Sequence, residues 1–578
     1  MGLTASLLIG QSALAASQAA LQVTGNNLAN AATPGYHRQR VDQTPLPGQY
    51  YGSKSFLGNG VGIQDIRRLL DPAVQSRLQD SISQEQFLSI GQSVLSGIES
   101  LTSGTDLNGQ LNTFFNSFSE LANNPANPTT RASVVEQGAS LAASIKDLRT
   151  NLVSQRTQVD QQLGTYVDQA NTLVQQIADL NGAIVKAEGG QGGNNGDGSL
   201  RDKRDSLLGQ LAQLTDISVV DNGNGSVNVL VGSTPVVQGT ATRPLSFQLK
   251  TVNNQLQASV QMGGKNPQTL NITGGTIGGL LAERTGSIQK TIDDLDSTAA
   301  SLIYEVNVLH TSGRPGTRLT DTTGSLMVEV PDQTLAFNDP ANVTMSKLPI
   351  GPTTGTFTVR LTDQNGNSSS STIKIDLDGI TNAGTPGTTD DTSLTTLVAS
   401  LNAIPNLTAQ ITPAGQLKIT TAAGYDVSFG NDTSGTLATL GINTYFTGTN
   451  AEDIDIRSDL RADPTRLVIG SDDGKNETAA AIAKLRSKGV STLGGQTFQE
   501  AWSGVTGRNG VALQSANTRA ESATTVRQSL EAQDAAVGGV SVDEESINLI
   551  QYQQQYQGAA HFISVVDQMT QVLLSLVQ

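Results

Sequence analysis

The sequence predicts an α+β multidomain protein in which terminal coiled-coil helices and a long helical bundle carry β-rich outer domains. Apolar residues recur at alternating spacings of three and four at both ends of the chain and again from 129 to 188. This is the pattern of coiled-coil helices. From about 319 to 455 the composition shifts to Thr, Ser, Gly and Asp with strand alternation. At 578 residues the length itself predicts roughly three to five domains.

These shifts divide the chain into seven segments. The predicted segments are an N-terminal assembly helix with an extended stretch (1–71), a long helical rod (72–188), a small α+β lobe (189–280), the return helix of the rod (281–318), an inserted β-rich surface domain (319–455), a helical return segment (456–541) and a C-terminal assembly helix (542–578).

The C-terminal helix is predicted to be soluble only with a partner. After Glu545, Asp567 is its only residue of the Asp, Glu, Lys and Arg types. The face opposite the apolar seam is therefore uncharged as well, and we expect both faces to make contacts. The predicted seam contains Leu549, Tyr552, Tyr556, Ala559, Ile563, Val566, Thr570, Leu573 and Val577.

The N-terminal helix is the natural partner, because it has the same spacing and no Asp, Glu, Lys or Arg before Arg38. Its predicted seam contains Leu3, Leu7, Gly10, Leu14, Ser17, Leu21, Thr24 and Leu28. We predict that its leucines and the large apolar residues of the C-terminal seam form an assembly interface. The alternative is a pair of ordinary bundle helices.

Neither end is expected to be a signal peptide or a membrane span. A secretory signal has a basic start and a continuous apolar core, whereas residues 1–21 contain no Lys or Arg and several Ser and Gln. A span requires about 20 predominantly apolar residues, which neither end supplies.

The segments between the two ends are predicted as follows. Helical patterns cover 72–101, 112–121 and 129–188, and the last would be about 80 to 90 Å long. The helix at 287–310 is expected to lie along its seam. The lobe is predicted to begin with a flexible glycine-rich connection at 189–198. A helix capped by Ser199 and ending at Leu214 follows, and then strands at 217–219 and 227–231 joined by the turn 221–225. A short helix at 394–402 is predicted inside the insert, and helices near 479–487 and 510–536 return the chain.

Charge and composition exclude several functions. The net charge of −16 and the pI near 4.6 argue against a nucleic-acid partner, which requires clustered Lys and Arg. The absence of cysteine excludes disulfides, cysteine nucleophiles and thiolate metal sites. The low aromatic content and many Gly, Ser, Thr, Asn and Gln residues are typical of secreted or filamentous bacterial proteins.

No catalytic, cofactor or metal site is predicted. His37, His310 and His561 lie in different segments without metal-ligand spacing. Glycine-containing loops at 58–62 and 470–476 lack the rest of a phosphate-binding motif. The acidic run 543–545 is better explained by the positive end of a helix dipole than by paired catalytic carboxylates.

Short motifs carry a resemblance to a known family. After the first helix, Pro34 breaks the helical pattern and an extended stretch to Leu57 follows. The motif residues are Asn26, Asn27, Asn30, Gly35, Tyr36, Arg38 and Gln39, with Asp543, Glu544 and Glu545 at the other end. They resemble the signatures of bacterial flagellar axial proteins, and the internal blocks at 200–208 and 295–310 are similar to those of the hook-associated protein 1 family. The insert is more loosely similar to the repeat module of flagellins and filament-cap proteins.

The resemblance implies a structural subunit at the junction between flagellar hook and filament, required for filament assembly and motility. It implies self-assembly into a ring, contacts with the hook protein and with the next hook-associated protein, and an export chaperone on the C-terminal helix. It also implies type III export without a cleaved signal, an extracellular location and no membrane insertion. In the monomer we expect the two terminal seams to be unpaired. Two alternatives remain: an extracellular adhesin or binding module acting through the insert at 319–455, and an enzyme.

Overall fold

The computed structural model describes residues 2–51, 55–189, 198–252, 255–264, 267–471 and 475–577. The glycine-rich connection predicted at 189–198 lies almost entirely outside the described residues, as does the centre of the loop at 470–476. The chain forms two compact units. Unit 1 contains Met1–Val94, Gln158–Thr285 and Gln514–Gln578, and unit 2 contains Leu95–Thr157 and Gly286–Leu513.

Helices dominate the fold, as the three-four spacings predicted. They are α1 (Gly2–Ala29), α2 (Pro72–Gly104), α3 (Leu107–Asn123), α4 (Pro128–Ala187), α5 (Gly198–Leu214), α6 (Gly275–Glu283), α7 (Gln289–Thr311), α8 (Val343–Ser346), α9 (Leu394–Asn402), α10 (Thr436–Leu440), α11 (Ser458–Ala462), α12 (Glu477–Lys484), α13 (Phe498–Gly538) and α14 (Val542–Val577). The long run predicted from 129 to 188 is confirmed as one helix of 60 residues, α4. Within the described ranges, no helix combines the length and hydropathy that a membrane span needs.

The strands form several small antiparallel sheets. They are β1 (Gln39–Pro45), β2 (Gln49–Tyr51), β3 (Ser55–Leu57), β4 (Val61–Arg68), β5 (Ile217–Asp221), β6 (Val227–Val231), β7 (Thr234–Gln238), β8 (Ala241–Thr242), β9 (Leu245–Val252), β10 (Gln255–Met262), β11 (Gln268–Thr269), β12 (Arg314–Pro315), β13 (Asp321–Thr323), β14 (Gly355–Thr362), β15 (Ser368–Ile375), β16 (Leu407–Ile411), β17 (Leu417–Thr421), β18 (Asp426–Gly430), β19 (Phe446–Thr447), β20 (Asp455–Ile456) and β21 (Val468–Gly470).

In unit 1, the segment after α1 is a ribbon rather than a single extended stretch. Strands β1 and β4 pair antiparallel from Gln39 opposite Arg68 to Pro45 opposite Val61, with a register shift after Asp42. Beyond Leu57, where the predicted extended stretch ends, strand β4 runs to Arg68 and returns along β1.

The lobe in unit 1 contains two sheets, with strand orders β5-β6-β7-β8 and β11-β10-β9. The strands predicted at 217–219 and 227–231 are confirmed as β5 and β6, whereas the hairpin of β9 and β10 had no sequence prediction. Helix α5 runs from Gly198 to Leu214, so the predicted end at Leu214 is confirmed and Ser199 lies in the first turn.

The part of α4 that belongs to unit 1 buries most of the apolar residues on its seam, including Val159, Leu163 and Ile177. Arg284, which is only 1% exposed, pairs with Asp160 of this helix. Arg284 begins a π-helical turn that joins α6 to α7. The pair satisfies a charge that would otherwise be costly to bury.

In unit 2, the predicted partner of α4 is confirmed as α7. Arg149 Nε donates to Asp296 Oδ1 over 2.8 Å, and Arg156 Nη1 donates to Gln289 Oε1 over 2.5 Å. His310 of α7 is completely buried: one ring nitrogen contacts the Asn443 carbonyl oxygen at 2.9 Å, and Nε2 accepts from the backbone N–H of Val468. Burial lowers the pKa of His310 to about 3, because an apolar environment disfavours the charged imidazolium.

The β-rich insert forms its own apolar core within unit 2. Its sheets have the orders β15-β14-β18 and β13-β17-β16. The helix predicted at 394–402 is confirmed as α9, where the Ser393 hydroxyl and Thr396 form a capping box. The core includes Phe357, Val359, Leu361, Ile373, Ile375, Leu394, Leu397 and Leu401. The alternation that predicted these strands thus reflects one buried face per strand.

Candidate assembly interface

The terminal helices α1 and α14 pack against each other within unit 1. Gly10 of α1 lies against Ile563 of α14, and Asn27 of α1 contacts Glu545 of α14. Because the later residue of one helix meets the earlier residue of the other, the pair is antiparallel. The two ends of the polypeptide are therefore brought together in one unit, as the matching seams predicted.

A glycine sets the closest approach of the two helices. A Cβ atom on Gly10 would lie 2.6 Å from Ile563 Cγ1 and 3.1 Å from Phe562 Cδ1. Glycine permits this approach because it has no side chain. The fully buried positions of α1 are also small or short, and they are Gly10, Ala16, Ser17, Ala20, Val23, Thr24 and Asn27.

The predicted leucines flank this buried stripe. The half-buried seam residues are Leu3, Leu7, Leu14, Leu21, Leu28, Leu549, Tyr552 and Ile563. Val566 is buried, whereas Tyr556 and Leu573 are exposed. Leu573 is exposed because the antiparallel pairing places it beyond the start of α1. Val577 ends α14, and its side chain is outside the described residues.

The motif residues from the two ends of the chain form one polar cluster, which we call the Glu545 cluster: Asn27, Tyr36, Arg38, Gln39 and Glu545. Glu545 is 2% exposed. It accepts from Arg38 Nε over 2.7 Å and from Asn27 Nδ2 over 3.1 Å. The Asn27 amide also contacts both backbone groups of Gln39, and its Oδ1 accepts from the Tyr36 hydroxyl over 2.8 Å.

This cluster revises the interpretation of the acidic run 543–545. All three residues lie in the first turn of α14, where the helix dipole favours negative charge. Glu545, however, is the buried partner of Arg38, and the largely exposed Glu544 contacts the same guanidinium at 3.0 Å. Asp543 is exposed. The Glu545 carboxylate thus forms a buried ion pair with Arg38 in addition to its place at the helix end, and the sequence alone did not reveal this pair.

The remaining motif residues shape the turn after α1. Asn30 Nδ2 donates to the Asn26 carbonyl oxygen over 3.0 Å, and Asn26 Nδ2 donates to the Tyr36 hydroxyl over 3.3 Å. Gly35 has a φ of +77°, a conformation that glycine adopts without strain. Burial, with the charges of Asp202 and Glu545, raises the pKa of Tyr36 to about 12, which agrees with a hydroxyl that donates to Asn27.

A second polar cluster adjoins the turn and was missed from the sequence. His37 Nδ1 contacts Asp202 Oδ1 of α5 at 2.8 Å, and Arg68 Nη1 lies 2.6 Å from Asp202 Oδ1 and 2.7 Å from Asp205 Oδ2. Burial lowers the pKa of His37, but the hydrogen bond and charge of Asp202 outweigh burial, and the net effect is a raised pKa.

His37, Asp202 and Asp205 have the spacing of metal ligands, but the Arg68 guanidinium already forms an ion pair with both carboxylates. We therefore assign no metal to this cluster. Asp202 lies in the block at 200–208, which is similar to a block of the hook-associated protein 1 family. This resemblance is the one sequence signal that points to Asp202.

An apolar stripe on α14 remains partly to largely exposed among the described residues of the single chain. Phe562, Val565, Met569, Val572 and Leu576 are between 39% and 80% exposed, and they repeat at spacings of three and four. Each lies one position before a seam residue, so the stripe borders the seam that faces α1. A contiguous exposed apolar surface of this kind is typical of a protein–protein contact.

Comparisons with known proteins point to one family. The model of the flagellar hook-associated protein FlgK helical domain matches residues 95–327. Models of the flagella basal body rod protein and of the flagellar basal body rod FlgEFG protein C-terminal match residues 7–37 and 538–576. The two terminal matches coincide with α1 and its turn and with α14.

Similar proteins carry the same name. Flagellar hook-associated protein 1 of Salmonella typhimurium is 26% identical over 98% of both chains, and that of Escherichia coli (strain K12) is 25% identical over 98% of both chains. Flagellar hook-associated protein 1 of Bacillus subtilis is 32% identical over 44% of this chain and 49% of its own. The solved structure of the flagellar hook junction protein FlgK from Burkholderia pseudomallei covers 79% of this chain and 99% of its own, at 16% identity and a TM-score of 0.48.

The assignment depends on the sequence matches, which extend from the first helix to the last and join the terminal motifs to the helical middle of the chain. Over 98% of its length the chain is similar to proteins named flagellar hook-associated protein 1, which are structural flagellar proteins and not enzymes, and residues 95–327 match the helical domain of FlgK.

Proposed function

We propose that this protein is a structural subunit that joins the flagellar hook to the filament and polymerises through its paired terminal helices. The observation that carries the proposal is the exposed apolar stripe at 562–576, beside a helix pair already held together within the chain. The names of the relatives supply the location at the hook.

The expected contact energy explains why assembly requires many neighbours. Burying one half-exposed apolar side chain contributes roughly 1 kcal/mol, so five contribute about 5 kcal/mol before the loss of translational and rotational freedom is counted. That loss is estimated at about 4 to 15 kcal/mol. One such contact does not hold an isolated dimer, whereas a subunit entering a ring buries its surface against several neighbours together.

The paired helices modify the expected mechanism. The uncharged sequences predicted seams that stay unpaired in the monomer, but in the single chain α1 and α14 are in contact. The Glu545 cluster accounts for this, because it adds charge-assisted hydrogen bonds at one end of a weak apolar seam. In the proposal, the pair enters assembly preformed, and only the stripe is covered by neighbours.

The remaining features of the proposal come from the family. The subunit forms a ring with the hook protein on one side and the next hook-associated protein on the other, and it is required for filament assembly and motility. It is exported through the flagellar type III channel to an extracellular position. A cytoplasmic chaperone holds the C-terminal helix until export, which would cover the same apolar stripe before assembly.

A pair of adjacent substitutions tests the stripe. Met569→Glu places a charge on it, and the control Gln568→Glu places the same charge on the exposed polar face of α14. In a strain that lacks the native protein, we expect Gln568→Glu to restore filaments and swimming and Met569→Glu to restore neither. Both purified variants should keep the helical content of the wild type. Equal complementation by the two variants would show that the stripe does not take part in assembly.

A truncation tests the helix as a whole. Removing Ile563–Gln578 should leave a folded, soluble monomer that no longer assembles. Junctions built from the truncated chain would contradict the proposed mechanism.

A further inference from the structure

The loop that joins β15 to α9 in the insert gathers three aspartates. Asp376 directly follows β15, Asp378 comes two residues later, and Asp391 lies shortly before α9. Two backbone contacts close the loop: Asp376 N–H donates to Thr392 Oγ1 over 2.9 Å, and Thr392 N–H donates to the Asp376 carbonyl oxygen over 2.7 Å. The fold therefore holds the first and last aspartates together.

The three carboxylates are as close as ligands of one ion. One oxygen from each of Asp376, Asp378 and Asp391 lies within 4.8 Å of the others. Two oxygens on opposite sides of a Ca²⁺ ion are separated by about 4.6 to 5.2 Å, since each lies about 2.3 to 2.6 Å from the ion. Proximity alone does not identify a site, because acidic loops are common on acidic proteins.

An unsatisfied buried oxygen supplies the second, independent observation. Asp391 is 4% exposed. Its Oδ2 accepts from Asn338 Nδ2 over 2.7 Å and from Gly379 N–H over 3.2 Å, whereas no described residue donates to its buried Oδ1. The buried Oδ1 atom of Asn338 likewise has no donor in the part of the chain that the structure describes. Buried polar atoms are nearly always satisfied, so two unsatisfied acceptors in contacting side chains favour a cation or another donor beside them.

The lysine at the cluster is a weak partner. Lys374 Nζ contacts Asp376 Oδ2 at 2.7 Å, and its side chain is 72% exposed. An exposed ion pair of this kind is easily separated. The long lysine side chain can therefore leave Asp376 to a competing cation.

We propose that Asp376, Asp378 and Asp391 form a divalent cation site that takes Ca²⁺, with Asn338 Oδ1 as a further oxygen ligand. Carboxylate and amide oxygens are the ligands of hard cations, and Ca²⁺ tolerates the irregular geometry of a loop better than Mg²⁺, which demands near-ideal octahedral coordination. The ion would tie the loop at 376–391 to the residues that precede α8. This site is independent of the terminal helices and of their assembly.

Calorimetric titration of the chelator-treated full chain with CaCl₂ and with MgCl₂ tests the site. We expect one equivalent of Ca²⁺ to bind, with weaker Mg²⁺ binding. Asp378→Asn should weaken Ca²⁺ binding at least tenfold; Asp378 is exposed, so the variant should fold. Asp321→Asn removes the same charge from an exposed strand position in the insert and should leave the affinity unchanged.

A substitution with the opposite effect complements this comparison. Lys374→Met removes the competing ammonium, and we expect it to bind Ca²⁺ several-fold more tightly than the wild type. Three results would overturn the proposal: no Ca²⁺ binding at millimolar concentration, equal affinities in Asp378→Asn and Asp321→Asn, or no tightening in Lys374→Met. In the first case a buried water would be the donor to Asp391.

Discussion

Glu544 and Glu545 offer a matched test of what holds the terminal helices together. They are adjacent in α14 and contact the same Arg38 guanidinium, at 3.0 Å and 2.7 Å. Their side chains differ in exposure, 62% for Glu544 and 2% for Glu545. Replacing each by Ala therefore compares a buried partner of Arg38, which also accepts from Asn27, with an exposed partner of the same guanidinium.

The expected magnitudes follow from burial. Removing one partner of a fully buried ion pair costs about 3 to 5 kcal/mol. Arg38 is 23% exposed and keeps Glu544 as a partner, so we expect about 2 kcal/mol for Glu545→Ala, somewhat below the cost for a fully buried pair. For Glu544→Ala we expect about 0 to 1 kcal/mol, as for exposed pairs.

Amide hydrogen exchange in α1 and α14 measures these costs locally, which matters because a chain of two units need not unfold in one step. A loss of about 2 kcal/mol accelerates exchange roughly 30-fold, and a loss of 1 kcal/mol roughly fivefold. Exchange in the sheets of the insert should be unchanged in both variants. If Glu545→Ala accelerates exchange in the two helices no more than Glu544→Ala does, the Glu545 cluster does not stabilise the pair.

Two further predictions concern packing and pH. Gly10→Ala should destabilise the helix pair by about 1 to 3 kcal/mol, because the added carbon meets Ile563. Gly25→Ala in the same helix adds its carbon in open space and should stabilise α1 by about 0.5 to 1 kcal/mol. Hydrogen exchange of α1 should therefore become faster in Gly10→Ala and slower in Gly25→Ala. The pKa of His310 is about 3 in the folded chain and about 6.5 in the unfolded chain. Because the unfolded chain binds the proton first, the free energy of unfolding falls as the pH drops below about 6.5, by at most about 1.4 kcal/mol per pH unit. Urea unfolding measured from pH 7 to pH 4 should show a smaller loss of unfolding free energy in His310→Gln than in the wild type. His561→Gln, at an exposed position, should lose as much as the wild type. Equal losses in all three proteins would rule out His310 as the source.

Local patterns were sufficient for the helices and for many strands. The helix at 394–402 and the long helix α4 were predicted because spacing and capping are properties of a few neighbouring residues. The hairpin of β9 and β10 and the π-helical turn at Arg284 were not predicted. The turn begins at Arg284, which pairs with the buried Asp160, 124 positions away along the chain. No local sequence pattern predicts a contact between residues so far apart.

The candidate interface shows the same division. The sequence identified the two helices, their seams and every member of the Glu545 cluster as motif residues, but it gave Glu545 a role at the helix dipole. It included Gly10 in the seam without indicating that the helices touch there. The contacts of His37 with Asp202 and of Arg68 with both carboxylates had no sequence prediction, because those residues are more than 130 positions apart.

By itself, the sequence determined that both ends of this protein are heptad helices with uncharged seams, that a β-rich domain interrupts the helical chain, and that its motifs resemble those of flagellar axial proteins. These properties depend on periodicity and composition, which a linear chain displays directly. Only the tertiary structure decided which face of α14 is covered by α1 and which remains open. It also decided that one glutamate of three is buried against Arg38 and that Asp391 retains an unsatisfied oxygen. Such properties arise when distant segments exclude water from the same place, and burial then determines the free energy of each charge.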